Sequence, residues 1–216
     1  MPRPALYVLA GVNGAGKSSI GGYHLTQAGL AWFNPDTFAR ALVLENQYSQ
    51  QDANAQAWQE SVRRLDEAIQ NLRSFAFETT LGGLTIAHKL QSATQTHDVM
   101  IWYCGLRSPE QHIARVKLRV TQGGHDIPET KIRERWNSSV QNLIALMPRL
   151  AHLRVYDNSH QVDIGAAIPD PLLLLELAQG RRRFPATIQE AANTPDWAKP
   201  ILEAAFTLDS SRDLTM

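Results

Sequence analysis

The sequence predicts an α/β fold: a parallel β-sheet with helices on both faces and a C-terminal helical appendage. Short apolar and β-branched runs alternate with segments of helical periodicity, and the first run feeds directly into a glycine-rich turn. Alternation of this kind makes βαβ units, whose right-handed crossovers bring the carboxyl ends of the strands to one rim. The residues with chemical capacity cluster at the ends of those runs, so the rim is where a site is expected. A length of 216 residues suits one such domain with a small addition.

The first strand is Ala5 to Ala10. It runs into Gly11-Val12-Asn13-Gly14-Ala15-Gly16-Lys17-Ser18, which spells G-x-x-x-x-G-K-[ST]. That pattern makes a phosphate-binding loop when a strand precedes it and a helix follows, because backbone N–H groups and the positive end of the helix then face a polyphosphate. Gly11, Gly14 and Gly16 permit the backbone angles and the close approach. Lys17 is placed to reach the β- and γ-phosphates and Ser18 to offer a hydroxyl to Mg²⁺, while Asn13, Ala15 and Ser19 supply backbone donors.

A helix is expected over Lys17 to Gln27, ended by Gly29, followed by a short second strand at Leu30-Ala31-Trp32-Phe33. Pro35 stops that strand and can open a helix, which puts Asp36 near a helix N-terminus, one strand over from Lys17. Helical patterns follow over about 37–47 and 53–73, the second with Trp58, Val62, Leu65, Ile69 and Leu72 at helical spacing and mostly assigned to the core. The third strand, Phe75 to Thr80, carries Glu78 near its end. Next come Gly82-Gly83, a helix to about Gln95, a strand at Val99 to Cys104 and a helix opened by Ser108-Pro109-Glu110. The loop from Gln122 to Pro128 precedes a long helix through about Met147, and the last strand expected is Leu153 to Asp157. This layout gives a core over 1–160, with a lid at about 115–140, and a helical appendage over 161–216 packed on that core.

Composition narrows the function. Lys plus Arg equals Asp plus Glu at 21 each, so there is no basic excess of the kind a general nucleic-acid binder shows. Arg181 to Arg183 read as a solvated basic turn. The one cysteine, Cys104, cannot form an internal disulfide and reads as core, which fits a reducing cytoplasm. No stretch approaches the ~20 apolar residues of a membrane span, and Met1 to Pro4 leave no room for a signal peptide, so a soluble cytoplasmic protein is expected. The seven histidines lack zinc-site spacing.

Among phosphate-loop proteins, a GTPase needs an Asn-Lys-x-Asp signature and a D-x-x-G switch, and an ABC-type ATPase needs Leu-Ser-Gly-Gly. The sequence contains none of them. It does contain the parts of a small-molecule kinase, in which a carboxylate takes the proton of an attacking hydroxyl while cations stabilise the migrating phosphoryl group. Asp36 is the candidate base, with helix capping as its alternative duty. Glu78, Thr79 and Thr80 are candidates to hold the acceptor or to help with Mg²⁺, with a structural ion pair as the alternative for Glu78. Arg115 and Arg119 share a helix face, and Arg133 and Arg135 follow the glycine loop. A lid bringing arginines to the γ-phosphate would stabilise charge and exclude water. His125, between a Gly-Gly pair and Asp126, is a further lid candidate.

Together the loop GVNGAGKSS, the segment NPDTFAR, the strand FAFETT and the stretch RVKLRVTQGGHDIPETKIRERWNSSVQNL resemble the zeta toxin family of phosphate-loop kinases, over about residues 5–160. That family is the toxin half of bacterial toxin–antitoxin modules. Its studied members phosphorylate the 3′-hydroxyl of the sugar in UDP-N-acetylglucosamine, with ATP and Mg²⁺. The resemblance implies Asp36 as base, Lys17 and Ser18 at nucleotide and metal, Glu78 and Thr80 near the sugar nucleotide, and an antitoxin as partner. It also implies two phosphate-binding arginines. Arg115 fits the first position, with Arg119 competing, and the second holds His125, so that role falls to His125 or Arg133. A glutamate that the family carries on the helix before the third strand has no counterpart here. The readings beside this one are another small-molecule or nucleotide kinase and an ATP-binding regulatory module without kinase activity.

Overall fold

The structure is a computed structural model that describes residues 2–18, 21, 31–160 and 169–213. Its centre is a six-stranded sheet in the order β2-β1-β3-β4-β5-β6. The strands are β1 (Ala5–Ala10), β2 (Phe75–Thr79), β3 (Asp98–Gly105), β4 (His152–Asp157), β5 (Leu172–Ala178) and β6 (Arg181–Phe184). The first four are parallel, and β5 and β6 add to the β4 edge in antiparallel register. The helices are α1 (Pro35–Asn46), α2 (Gln50–Gln70), α3 (Leu84–Ala93), α4 (Pro109–Thr121), α5 (Glu129–Leu146) and α6 (Lys199–Asp213). Alternate strand residues point to opposite faces, and one face holds Leu6, Val8 and Ala10 with Ile101, Tyr103, Val155 and Leu175. Against it pack Leu65 of α2, Leu90 of α3, Leu143 of α5 and Ile201 of α6. The other face carries Tyr7, Leu9, Ala76 and Trp102, with Trp32 beside them. Gly21, which is helical, lies so close to Leu9 that a Cβ there would come within 2.2 Å of its side chain, so Gly21 lies against this second face.

Several expectations change. The stretch read as the second strand contributes only an isolated bridge, Phe33 to Phe77, held by Phe33 N–H to Ala76 O at 2.8 Å and Glu78 N–H to Phe33 O at 2.9 Å. Leu30 lies outside the described residues, as does most of the helix expected over 17–27. Because Phe33 pairs with β2 and β2 pairs with β1, Asp36 is two strands over from Lys17, and Glu78 stands between them. The C-terminal part ends in a helix, as read, but β5 and β6 come first and extend the sheet, so Leu153 to Asp157 is not its last strand. Arg181 to Arg183 lie in β6, and Arg182 is bound at 2.9 Å to Asp209 of α6 and sits over the Phe206 ring. Of the five residues at helical spacing mostly assigned to the core, Trp58 and Leu72 are 52% and 59% exposed, while Leu65 is fully buried.

The join between the parallel core and the C-terminal part is tight. Trp197, 6% exposed, donates its indole N–H to Asp157 at 2.9 Å and lies over the end of β3. A Cβ at Gly105 would fall 2.3 to 2.7 Å from its ring. Gly105→Ala is therefore expected to destabilise the domain by about 1–3 kcal/mol through overpacking, seen as a lower denaturant midpoint at unchanged m-value.

Candidate active site

The phosphate loop adopts the conformation its glycines were expected to allow. Gly11, Gly14 and Gly16 have φ of 138°, 84° and 87°, in the half of conformational space that side chains avoid. The space is closed as well, since a Cβ at Gly11 would meet the Cys104 carbonyl oxygen at 2.1 Å and one at Gly16 the Asn158 amide at 2.5 Å. The loop is tied down through its carbonyls. Asn13 O bonds His112 Nδ1 at 2.9 Å, and Ala15 O accepts from Cys104 Sγ at 3.0 Å and Asn158 Nδ2 at 2.9 Å. Val12 is buried with Ile113 and Val116 of α4 and with Ile127 of the lid. Lys17 and Ser18 already have helical geometry.

His112 was not singled out in the sequence. It is 1% exposed, and burial holds its imidazole down to about 4. It is therefore neutral at ordinary pH, and since Asn13 O can only accept, the proton sits on Nδ1. Burial also pushes the Cys104 thiol up to about 12, which leaves it protonated and able to donate to the loop, consistent with core and not reactivity.

On the β2 side, Glu78 is 6% exposed and accepts from Ser18 Oγ at 2.9 and 3.2 Å through its two oxygens. Burial raises its pKa, while Lys17 and the Ser18 bond pull the other way. The alternative of an ion pair with a nearby arginine is not what the structure shows: its neighbours are Lys17, Ser18, Asn34 and Asp36. Asn34 caps α1, its Oδ1 accepting from Asp36 N–H at 2.9 Å and Thr37 N–H at 3.2 Å. Capping is thus done by Asn34, and the Asp36 carboxylate is turned elsewhere. Its Oδ2 accepts from Arg119 at 3.2 Å, and its Oδ1 lies 3.7 Å from His125 Nε2. Arg119 also donates to His125 O at 3.2 Å, binding the lid backbone to the same guanidinium. Burial lowers the His125 pKa more than the Asp36 charge raises it.

Lys17, Asp36, Glu78, Thr79, Thr80 and His125 line one cavity of about 190 Å³, with Asn13, Asn34 and Arg135 also in its wall. The two threonine hydroxyl oxygens cap the following turn, Thr79 accepting from Leu81 N–H at 3.1 Å and Thr80 from Gly82 N–H at 3.4 Å; each O–H proton remains able to donate. Two residues in the sequence reading are placed elsewhere. Arg133 is drawn to Glu110 at 2.7 Å on the surface and does not line the cavity; its neighbour Arg135 does, donating to Asn13 Oδ1 at 2.8 Å. Arg115 is bound to the carbonyls of Asn158 at 2.7 Å and His160 at 3.0 Å, so Arg119 is the arginine that reaches Asp36. Ser19 lies outside the described residues.

A strand, a phosphate loop, a buried acid beside the loop serine and an arginine-held carboxylate across a small cavity define a phosphate-loop kinase in architecture. The comparisons with known proteins give the family. The zeta toxin family matches residues 1–166, and the chain belongs to it. This membership carries the coarse class, a kinase that uses ATP. An uncharacterized protein of Haemophilus influenzae is 28% identical over 144 residues, which are 63% of this chain and all of that one. Among solved structures, the AvrRxo1-ORF1:-ORF2 complex crystallised with ATP superposes with a TM-score of 0.64 at 17% identity, over 90% of this chain and 64% of that one. The chain thus spans just under two thirds of that neighbour. A proposed kinase of Chloroflexus aurantiacus superposes at 0.54 with 18% identity, over 76% and 94% of the two chains. The PezAT toxin–antitoxin system of Streptococcus pneumoniae gives 0.50 at 16%, over 72% and 68%. At these identities the structural likeness speaks for the fold. Among the described residues no helix is long and apolar enough to cross a membrane, and no group of three or more His, Cys, Asp or Glu is arranged to hold a metal ion.

The buried His112 makes a pH prediction. Its folded-state pKa of about 4 lies below the ~6.5 of the unfolded chain, so the unfolded state takes up a proton first as pH falls. Its contribution to stability is complete above about pH 6.5 and is lost as pH falls toward 4, by up to roughly 1.4 kcal/mol per pH unit. His112→Asn retains a donor for Asn13 O and removes the titration. Its unfolding free energy should fall less steeply than wild type between pH 6.5 and 4 in denaturant titrations.

Proposed function

We propose that this protein transfers the γ-phosphate of ATP to a hydroxyl of a small molecule, with a UDP-activated sugar such as UDP-N-acetylglucosamine as the acceptor. One observation carries the reading. Asn34 takes over the capping of α1, so the Asp36 carboxylate faces the cavity that also contains Lys17, Glu78 and His125.

In this scheme the loop amides and Lys17 hold the donor's phosphates. A Mg²⁺ ion fits the donor set offered here. Ser18 Oγ and the Glu78 carboxylate are hard oxygen donors within 2.9 to 3.2 Å of each other, and a buried carboxylate with a lysine and a hydroxyl for company is suited to a cation. The metal would neutralise charge on the phosphates. Asp36 accepts the proton as the acceptor oxygen forms its bond to phosphorus and the bond to the ADP oxygen breaks. Arg119 positions Asp36 and joins it to the lid, and Arg135 supplies positive charge at the cavity wall. His125 is kept neutral by burial and lies 3.7 Å from the same carboxylate. A protein partner of antitoxin type belongs to this proposal. Two structural neighbours are the AvrRxo1-ORF1:-ORF2 complex and the PezAT toxin–antitoxin system. No nucleic acid or membrane enters it.

The test is transfer of label from γ-labelled ATP, with Mg²⁺, to UDP-N-acetylglucosamine and to a small-metabolite extract. Asp36→Asn should lower kcat by roughly 10²–10⁴-fold while ATP binding survives; unchanged transfer in that variant would falsify the base assignment. Arg133→Ala should leave kinetics within about twofold, since its partner is a surface glutamate. Arg135→Ala should raise the acceptor KM by roughly tenfold, the worth of a hydrogen bond from a charged group. For the partner, growth arrest on expression of the chain alone, relieved by Asp36→Asn, is the expected outcome; harmless expression of active enzyme would exclude a toxin.

A further inference from the structure

Trp58 belongs to α2, yet it is 52% exposed and lines the acceptor cavity. The adjoining wall is built from small residues of the same helix. Ala57 and Ser61 are 2% and 5% exposed, and the Ser61 hydroxyl is turned into the helix onto Ala57 O at 2.8 Å. The half-exposed indole thus lines the cavity beside the small side chains of Ala57 and Ser61. Leaving so large an apolar side chain half in water forgoes stabilisation that burial would give. The helix meets its packing needs without it, through Ala53, Ala57, Leu65 and Ala68.

The cavity encloses about 190 Å³, less than the roughly 300–1,000 Å³ of pockets that enclose a whole small-molecule ligand. Part of the acceptor must therefore lie beyond it, against the rim that Trp58 occupies. Inside stands Arg135, half-buried, with one Nη committed to Asn13 and other guanidinium donors remaining for an anion. An aromatic plate at the rim and a half-buried cation inside the same cavity match a ligand with a planar ring and an anionic group.

We infer that Trp58 is a stacking platform for a planar ring of the acceptor, with Arg135 taking the acceptor's anionic group. This deepens the kinase reading and rests on it, for it assigns the part of the acceptor that does not react. Trp58 is a specificity-determining residue in this scheme and not a catalytic one.

The experiment uses the full chain with its donor site filled by Mg²⁺ and a non-hydrolysable ATP analogue. Equilibrium dialysis then measures binding of UDP, CDP, GDP and ADP, and of N-acetylglucosamine 1-phosphate, which has an anionic group and no planar ring. Wild type should bind at least one of the four diphosphates. Trp58→Ala should weaken that binding about tenfold or more, the scale of losing one aromatic–base stack, and Trp58→Phe should recover most of it. Neither variant should alter affinity for the sugar phosphate or shift the thermal midpoint appreciably. Equal losses for both kinds of probe, full binding by Trp58→Ala, or no diphosphate bound by wild type would each overturn the inference. Label transfer separates this from the kinase reading. Wild type that phosphorylates a component of a metabolite extract but binds no diphosphate loses the platform and keeps the kinase; wild type that shows the Trp58-dependent binding but transfers nothing keeps the platform and loses the kinase.

Discussion

A phosphate loop must turn its amides outward, and its carbonyls must then be satisfied from below. Much of this structure follows from that requirement. Asn13 O is held by a buried neutral histidine, and Ala15 O by a protonated thiol and an asparagine amide. These three anchors come from α4, from the end of β3 and from just beyond β4, so the loop is correct only when the parallel core is assembled around it. Arg115 strengthens the same support by holding the Asn158 backbone, whose side chain holds Ala15. Glycine at position 11 is required by the same geometry, because the β3 carbonyl lies where a side chain would begin.

The cavity above the loop sets opposite charges against one another. Lys17, Arg119 and Arg135 confront Asp36 and Glu78, with a histidine that burial keeps neutral. Glu78 is the costly member, since a carboxylate this buried raises its own pKa unless cations or donors compensate. Lys17 and Ser18 compensate in part. In the proposed scheme a divalent cation would complete the compensation. Asp36 is partly open to solvent and is positioned by Arg119 instead.

Much of this was legible in the sequence, because the constraints are local. The loop, the placing of Asp36 and Glu78 on one cavity, and the four parallel strand segments follow from spacing and strand ends. What was lost depended on helix phase or on pairing. Arg133 and Arg135 are two apart and so face about 160° away from one another on α5. The buried stripe Ile132, Ser139, Asn142 and Leu143 fixes the phase, and Arg135, three residues after Ile132, lies on it. That signal was present in the Ile132-to-Leu143 pattern and points to Arg135. Trp58 is the converse case, an aromatic residue one step off the Ala53, Ala57, Ser61, Leu65 stripe. The hairpin of β5 and β6 was hidden because an edge pair has no helix between its strands, and the prolines around it imitate an irregular appendage.

Arg119 joins the remaining parts. Its stem runs beneath Gly124, where a Cβ would come within 2.6 Å of Arg119 Cγ, so the lid can fold onto this side chain only with glycine at that position. From there its guanidinium binds His125 O and the Asp36 carboxylate together. On the other side of the lid, Ile127 is buried against Val12 of the phosphate loop. The lid is thus fixed at one end to the group that would hold the donor and at the other to the group that would deprotonate the acceptor. Displacing it would disturb both at once. In the proposed scheme, exclusion of water and alignment of Asp36 would therefore be a single structural event, with the short Gly-Gly-His-Asp-Ile-Pro segment serving as the lid through its contacts with Arg119 and Val12.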